Sequence, residues 1–80
     1  MVKIIFILIS LFVFAFGSVN INSANSAQLQ TLYGIGPTKA QEILRYRKAH
    51  GGFKTVDELV NVKGIGPKTM IKLKPQVSIR

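Results

Sequence analysis

The chain has 80 residues, with eleven Lys or Arg, three Asp or Glu, one His, no Cys and a formal net charge of +8 at pH 7. This length allows one small globular domain. The absence of Cys excludes a disulfide scaffold, and one His without Cys cannot form a transition-metal site of a known pattern. The three acids form no paired-carboxylate arrangement. We therefore expect no enzyme, no metal and no cofactor.

Residues 1–17 are predicted to be a signal peptide. Lys3 precedes thirteen residues, 4–16, that are apolar except for Ser10, and Ala15 and Gly17 are the small residues before a cleavage site after Gly17. A permanent membrane anchor is the competing interpretation, but thirteen helical residues span about 20 Å against about 30 Å of hydrocarbon. A buried core helix fits less well, because the stretch has no polar face.

Residues 18–80 are predicted to form one basic domain that contains an internal repeat. The segment Gly34-Ile35-Gly36-Pro37 returns thirty positions later as Gly64-Ile65-Gly66-Pro67. We call Gly34-Ile35-Gly36 hairpin one and Gly64-Ile65-Gly66 hairpin two. Five apolar pairs share the offset: Leu29 with Leu59, Leu32 with Val62, Ile35 with Ile65, Ala40 with Met70, and Ile43 with Leu73. The copies cover about residues 25–50 and about residues 55–75.

The first copy is predicted to be a helix, a hairpin and a second helix. Asn25 with Gln28 forms a capping-box pattern that opens the first helix. Pro37 suits the first turn of the second helix, about residues 37–49, and the Gly51-Gly52 pair ends it. His50, at this helix end, is expected to be a capping residue rather than a ligand.

The second copy repeats this order. Thr55 and Glu58 form another capping-box pattern, Pro67 begins the fourth helix and Pro75 closes it. Residues 19–21 and 77–79 alternate like strands but are too short to assign. The predicted fold class is therefore all-α, a tandem helix-hairpin-helix domain of four short helices after the leader.

The two glycine hairpins are suited to binding an anion. Glycines allow positive φ and close approach of another molecule, while amides at the start of the next helix lack internal partners. A dinucleotide fingerprint needs a third glycine where Lys39 or Thr69 stands, and neither copy has the spacing of a phosphate-binding P-loop. Two such sites on one basic domain favour the phosphates of a polymer.

The mature chain resembles a known family. It resembles the tandem helix-hairpin-helix domain of ComEA-like competence proteins. The resemblance lies in the segments 19–24 and 29–32, in both Gly-Ile-Gly-Pro hairpins, and in Arg47 with Gly52-Phe53. The resemblance implies sequence-independent binding of double-stranded DNA at the hairpins during natural transformation. A leader running directly into the domain resembles the short, periplasmic form of two-membrane bacteria. Tyr33 stands where the family's first hairpin usually has Pro, and Asn25 replaces the usual Ser cap.

The predicted DNA-binding set combines this resemblance with the hairpin chemistry. By position, the phosphate-contacting amides are those of the four hairpin glycines, with Lys39 and Lys68 beside them. Ile35 and Ile65 are expected to point inward and hold the hairpins. The set is Gly34, Ile35, Gly36, Thr38, Lys39, Lys63, Gly64, Ile65, Gly66, Lys68 and Thr69.

Several other residues allow two interpretations. Tyr33 either stacks or wedges against a groove, or packs its own hairpin. Arg45, Arg47 and Lys48 either extend the basic surface or only form the solvent-exposed face of a helix. Phe53 is a core candidate.

Two other functions remain open for the same fold: a structural protein-docking subunit, and an intracellular DNA-repair accessory module. The net charge and the intact glycines favour DNA over docking, and an export leader disfavours the repair module. The expected partners are double-stranded DNA and other DNA-uptake proteins, with membrane contact only through an uncleaved leader.

Overall fold

The structure is a computed structural model that describes residues 18–79, so the predicted leader and Arg80 lie outside the described residues. Its helices and strands, in chain order, are β1 (Val19–Asn20), α1 (Ser26–Leu29), α2 (Pro37–His50), a first 3₁₀ helix (Val56–Asn61), α3 (Pro67–Leu73), a second 3₁₀ helix (Lys74–Gln76) and β2 (Val77–Ser78). The fold is mostly helical, as predicted. Within this part of the chain, no helix combines the length and the hydrophobicity needed to cross a membrane.

Both predicted capping boxes are confirmed. The N–H of Gln28 donates to Asn25 Oδ1 at 2.8 Å, and the N–H of Asn25 donates to Gln28 Oε1 at 2.9 Å. Thr55 and Glu58 form the second box, at the start of the first 3₁₀ helix. Each box satisfies amide groups that a helix start leaves without partners, so each fixes where its helix begins.

Helix α2 begins at Pro37, as predicted, and ends at His50, one residue beyond the predicted end. Pro37 occupies its first turn, and Gly51 ends it in the left-handed region at φ 70°. Ala40 and Ile43 are buried on its inner face, and Leu44 packs against the core. His50 lies in the last turn, where its Nδ1 is 2.9 Å from the carbonyl oxygen of Tyr46.

The third predicted helix is a 3₁₀ helix, and the fourth ends before Pro75. Val56 and Val60 are β-branched, which lowers the α-helical propensity of this six-residue segment, and its C-cap Val62 is already extended. Pro75 was predicted to close the fourth helix, but α3 ends at Leu73 and Pro75 lies within the second 3₁₀ helix. Because Pro has no N–H, the α-helical bonding cannot continue through it.

The two ends of the described segment meet in a small parallel sheet. Val19 pairs with Val77, and Asn20 pairs with Ser78. Asn22 then joins three segments: its Oδ1 accepts from the N–H of Phe53 at 2.6 Å, and its Nδ2 donates to the carbonyls of Phe53 at 3.0 Å and Ile79 at 3.4 Å. The strand-like segments of the sequence therefore close the domain.

The hydrophobic core follows the thirty-residue repeat. Each apolar pair predicted from the offset is buried on both sides, and Ile35 and Ile65 each have 4% exposure. Phe53, the predicted core aromatic, is buried as well. The core residues are Ile21, Ala24, Leu29, Leu32, Ile35, Ala40, Ile43, Phe53, Leu59, Val62, Ile65, Met70, Leu73 and Val77.

Candidate nucleic-acid interface

The two hairpins have nearly the same backbone. Gly34 has φ 69° and Gly64 has φ 94°, and each is followed by a buried Ile. The N–H of Ile35 donates to the carbonyl of Leu32 at 3.1 Å, and the N–H of Ile65 donates to that of Val62 at 3.0 Å. The Ile side chains thus hold the hairpins on the core, so only their backbone remains for a ligand.

The first and the second glycine of each hairpin have different backbone conformations. Gly34 and Gly64 have positive φ, which disfavours any residue with a Cβ. Gly36 and Gly66 are extended helix N-caps with φ −95° and −100°, which any residue can adopt. A Cβ on either of these two would meet no heavy atom of residues 18–79 within 4 Å. Neither the backbone conformation nor the packing in this part of the chain therefore requires glycine at Gly36 or Gly66, and the space beside them is open.

The hairpin amides have no acceptor within the described part of the chain. The N–H groups of the four hairpin glycines donate in none of the hydrogen bonds between residues 18–79. The first N–H groups of a helix also lack intrahelical acceptors, and the α2 dipole adds positive potential at hairpin one. This arrangement presents backbone donors to an approaching anion.

Each hairpin is covered at one side by the helix that follows the other hairpin. A Cβ on Gly64 would lie 3.5 Å from Cγ and Cε of Lys39, and a Cβ on Gly34 would lie 3.8 Å from Cγ2 of Thr69. Lys39 and Thr69 are themselves thirty positions apart, so the two contacts are related by an approximate two-fold axis. The contacts bring the two hairpins together and place the Lys39 stem over hairpin two rather than its own hairpin.

The cations near the hairpins are free of acidic partners. Glu42 lies 3.8 Å from Arg45, and Asp57 lies 3.3 Å from Lys74. In the described chain, no acid lies within 4 Å of the amino groups of the three predicted lysines, Lys39, Lys63 and Lys68. Lys63 and Lys68 are exposed and Lys39 is half-buried, while Thr38 is exposed beside them. Within residues 18–79, no ion pair therefore offsets the charge of these three lysines.

The third acid, Glu58, serves the fold. Its carboxylate accepts from the N–H of Lys54 at 2.7 Å, from the Tyr46 hydroxyl at 2.8 Å and from the N–H of Thr55 at 3.4 Å. These bonds, the one from Lys54 first, hold the pKa of Glu58 below its ordinary value of 4.5. Across residues 18–79, no three His, Asp or Glu side chains gather in a group that could hold a metal ion.

Arg47 has a structural role that the sequence did not predict. Its Nη1 donates to the carbonyls of Ile21 at 3.0 Å and Ala24 at 2.8 Å, which fixes the segment before α1. These acceptors lie 26 and 23 residues away. No local pattern could have revealed them.

Arg47 also borders an open groove, which is formed by Asn22, Leu44, Arg47, Lys48, Gly51 and Gly52. The groove lies at the C-terminal end of α2. A 14-residue helix is about 21 Å long, so this second basic surface is well separated from hairpin one.

Tyr33 lies at the edge of hairpin one and is half-exposed. Its N–H donates to Gln76 Oε1 at 2.9 Å, and Lys72 Nζ lies 5.5 Å from the centroid of its ring. Neither partner could be predicted from a local pattern, because both come from the other end of the domain. The corresponding residue of hairpin two is Lys63.

Comparison with known proteins identifies the family. Residues 15–78 match the family described as the helix-hairpin-helix motif. ComE operon protein 1 of Bacillus subtilis is 40% identical over 62 residues, which are 78% of this chain and 30% of that protein. An uncharacterized protein of Haemophilus influenzae is 40% identical over 60 residues, 74% of this chain and 54% of that protein.

A third relative is much longer. Human endonuclease/exonuclease/phosphatase family domain-containing protein 1 is 37% identical over 59 residues, 74% of this chain and 10% of that protein. The chain thus spans between a tenth and about half of the length of these three relatives. The family match covers most of the chain, including both hairpins. The chain therefore belongs to the helix-hairpin-helix family, and its domain is similar to that of ComE operon protein 1.

Proposed function

We propose that this domain binds double-stranded DNA through its backbone phosphates, without sequence preference, at a tandem pair of Gly-Ile-Gly hairpins. The contacts are made by the amides of Gly34, Gly36, Gly64 and Gly66, with Lys39, Lys63 and Lys68 beside them. Thr38 and Thr69 border the same surface.

One observation carries the proposal: Gly36 and Gly66 are glycine although nothing in the fold requires it. Their φ angles suit any residue, and a Cβ would meet open space. Ser or Asn at such a helix N-cap would stabilise the fold by a few tenths of a kcal/mol over Gly. Both positions thus lack that stabilisation, and both leave room for the DNA backbone to approach the amides.

Charge supports a polymeric anion rather than a small one. Ion pairs engage Glu42 and Asp57 away from the hairpins, so the hairpin lysines are unopposed. Two adjacent hairpins, each with unpaired amides, can hold phosphates at two places on a duplex. Contacts of this kind position a protein on DNA without reading its sequence.

The biological role we propose is DNA uptake during natural transformation, in the periplasm. The resemblance to competence proteins and the family membership support uptake, and the leader pattern of residues 1–17 supports export. Contacts with other DNA-uptake proteins belong to the same proposal. It includes no catalysis, because Glu42, Asp57 and Glu58 are each engaged in an ion pair or a helix cap.

The proposed binding is tested with protein purified from cells that express the complete sequence. Affinity for labelled random-sequence duplex is measured by fluorescence anisotropy across a salt series. If about six phosphates are neutralised, log K falls with log salt with a slope of about −5. Absence of binding at low salt would contradict the proposal and favour a protein-docking scaffold.

A charge-matched pair of variants locates the binding surface. Lys39→Ala with Lys68→Ala removes two cations at the hairpins, and Lys48→Ala with Lys54→Ala removes two elsewhere. We expect the first pair to reduce the salt slope by about 2, because each phosphate contact contributes about 1. The second pair should change it much less, and equal effects would place the DNA elsewhere.

Export has a separate test. Mass spectrometry of the protein recovered from the periplasmic fraction should give a mature chain that begins at Ser18. A chain that retains Lys3 and stays with the membrane would support the anchor interpretation, and a full-length chain in the cytoplasm would favour the repair module.

A further inference from the structure

Tyr33 is an exposed aromatic residue that neither the core nor the phosphate site explains. Its exposure is 52%, whereas the rings of Tyr46 and Phe53 stack with centroids 5.0 Å apart and the ring of His50 stacks on Tyr46 at 3.8 Å. Among residues 18–79, no ring stacks on Tyr33. About half of the Tyr33 surface stays in water, and that half gains nothing from burial. Its position is therefore better explained by a contact outside the fold.

The ring and its backbone are held in place by the far end of the domain. The N–H of Tyr33 donates to Gln76, and the amino group of Lys72 lies over the ring. These contacts restrict the edge of hairpin one before any ligand arrives. Such preorganisation lowers the entropy lost when the ring stacks on a partner.

The position of Tyr33 brings the ring close to a nucleotide bound at hairpin one. It directly precedes Gly34 and stands three residues before Gly36, so chain geometry keeps its Cα within about 10 Å of the open glycine. Every nucleobase has a π-face that an aromatic side chain can stack on. Inside a continuous duplex both faces of a base are covered by its neighbours, but an unpaired base can turn a face outward.

Hairpin two offers no such ring, because Lys63 occupies the corresponding position. We propose that Tyr33 is a specificity residue that stacks on an unpaired base beside the duplex. It makes the protein prefer duplex interrupted by single-stranded nucleotides over continuous duplex. This inference rests on the proposed DNA binding. The lysine at hairpin two holds phosphate only, and the aromatic edge of hairpin one adds the contact with a base.

The test compares two DNAs with identical ends: a continuous linear duplex, and the same duplex with a short single-stranded gap at its centre. Full-length protein as recovered from the expressing cells is titrated with each at one salt concentration. We expect the wild type to bind the gapped DNA at least about fivefold more tightly, since stacking on one base supplies at least this factor.

Two variants separate stacking from the flexibility of gapped DNA. Tyr33→Phe keeps the ring and should keep the preference. Tyr33→Leu removes the ring and should bring both affinities to the continuous-duplex value, with an unchanged thermal midpoint by circular dichroism. If the wild type binds the two DNAs with equal affinity, the inference is overturned but duplex binding is not. The same holds if Tyr33→Leu still prefers the gapped DNA. Failure to bind either DNA overturns both proposals.

Discussion

Hairpin one and hairpin two share a backbone and differ in almost every side chain around it. Both have a positive-φ glycine, a buried Ile and an open second glycine. Around them the corresponding residues are Tyr33 and Lys63, Thr38 and Lys68, Lys39 and Thr69. In the proposed binding mode, the common features are those that present amides to a phosphate. In the same proposal, the differing side chains set what each hairpin contacts next to that phosphate.

The largest expected effect tests what the hairpins share. In Gly36→Ser or Gly66→Ser the new side chain occupies the open space. We expect DNA affinity to fall about tenfold or more for each, the equivalent of one charge-assisted hydrogen bond of about 1.5–3 kcal/mol. Stability by urea denaturation should stay equal or rise by a few tenths of a kcal/mol, because Ser is a good N-cap.

The matched control is Ala49→Ser, which adds the same hydroxyl at an exposed position near the opposite end of α2. Its DNA affinity should stay at the wild-type value. If Gly36→Ser and Gly66→Ser bind DNA as well as this control, the open space has no role in binding.

The next largest effect is a difference in stability between variants of Gly34 and Gly64, the first glycines of the two hairpins. A residue with a Cβ in the left-handed region costs about 1–2 kcal/mol. Gly64 has the larger φ, 94° against 69°, and a Cβ there would touch the Lys39 stem at 3.5 Å. A contact at 3.5 Å is an ordinary van der Waals distance, so the difference comes from φ, which at Gly64 lies further from the left-handed conformation at about +57°. We therefore expect Gly64→Ala to lower the free energy of unfolding more than Gly34→Ala, as measured by urea denaturation. The reverse order would contradict the described hairpin backbones.

A smaller effect concerns the lysine shared between the hairpins. Lys39→Met keeps a stem that can pack on Gly64 but removes the charge. We expect unchanged stability and a salt slope reduced by about 1. Lys39→Ala should also lose stability, because it removes the packed stem. Lys68→Ala, at an exposed position, should change only the salt slope, and a stability loss equal to that of Lys39→Ala would contradict the cross-packing.

The smallest effect comes from the capping boxes, which also differ. Glu58 corresponds to the neutral Gln28. The folded pKa of Glu58 is lowered, so the stability it contributes is present above about pH 4.5 and is lost as pH falls through the folded pKa. Thermal midpoints of the wild type should therefore drop in acid more than those of Glu58→Gln. Equal acid sensitivity would show that this carboxylate contributes nothing to the pH dependence.

Local patterns in the sequence were enough to predict the helix starts and the core. The helix starts depend on contacts within one helical turn, so a short stretch of sequence is enough to predict them. These contacts are made by Asn25 with Gln28, by Thr55 with Glu58, and by the two hairpin prolines. The apolar pairs at the thirty-residue offset are buried because one supersecondary unit is used twice.

Contacts between distant segments could not be predicted in this way. Arg47 holds carbonyls of Ile21 and Ala24, and Gln76 holds the backbone of Tyr33 across 43 residues. The position of Lys39 over hairpin two depends on how the two copies pack. The spacing of residues along the sequence does not reveal that packing. The 3₁₀ form of Val56–Asn61 likewise reflects a short, valine-containing segment between a cap and a hairpin.

The most direct test of the central claim is the amide spectrum of ¹⁵N-labelled protein titrated with random-sequence duplex. We predict the largest chemical-shift changes at Gly34, Gly36, Gly64 and Gly66, weakening with salt, and small changes at Gly51 and Gly52 in the distant basic groove. Changes confined to that groove, or a spectrum unmoved by saturating duplex, would contradict the claim that the two hairpins bind the DNA backbone.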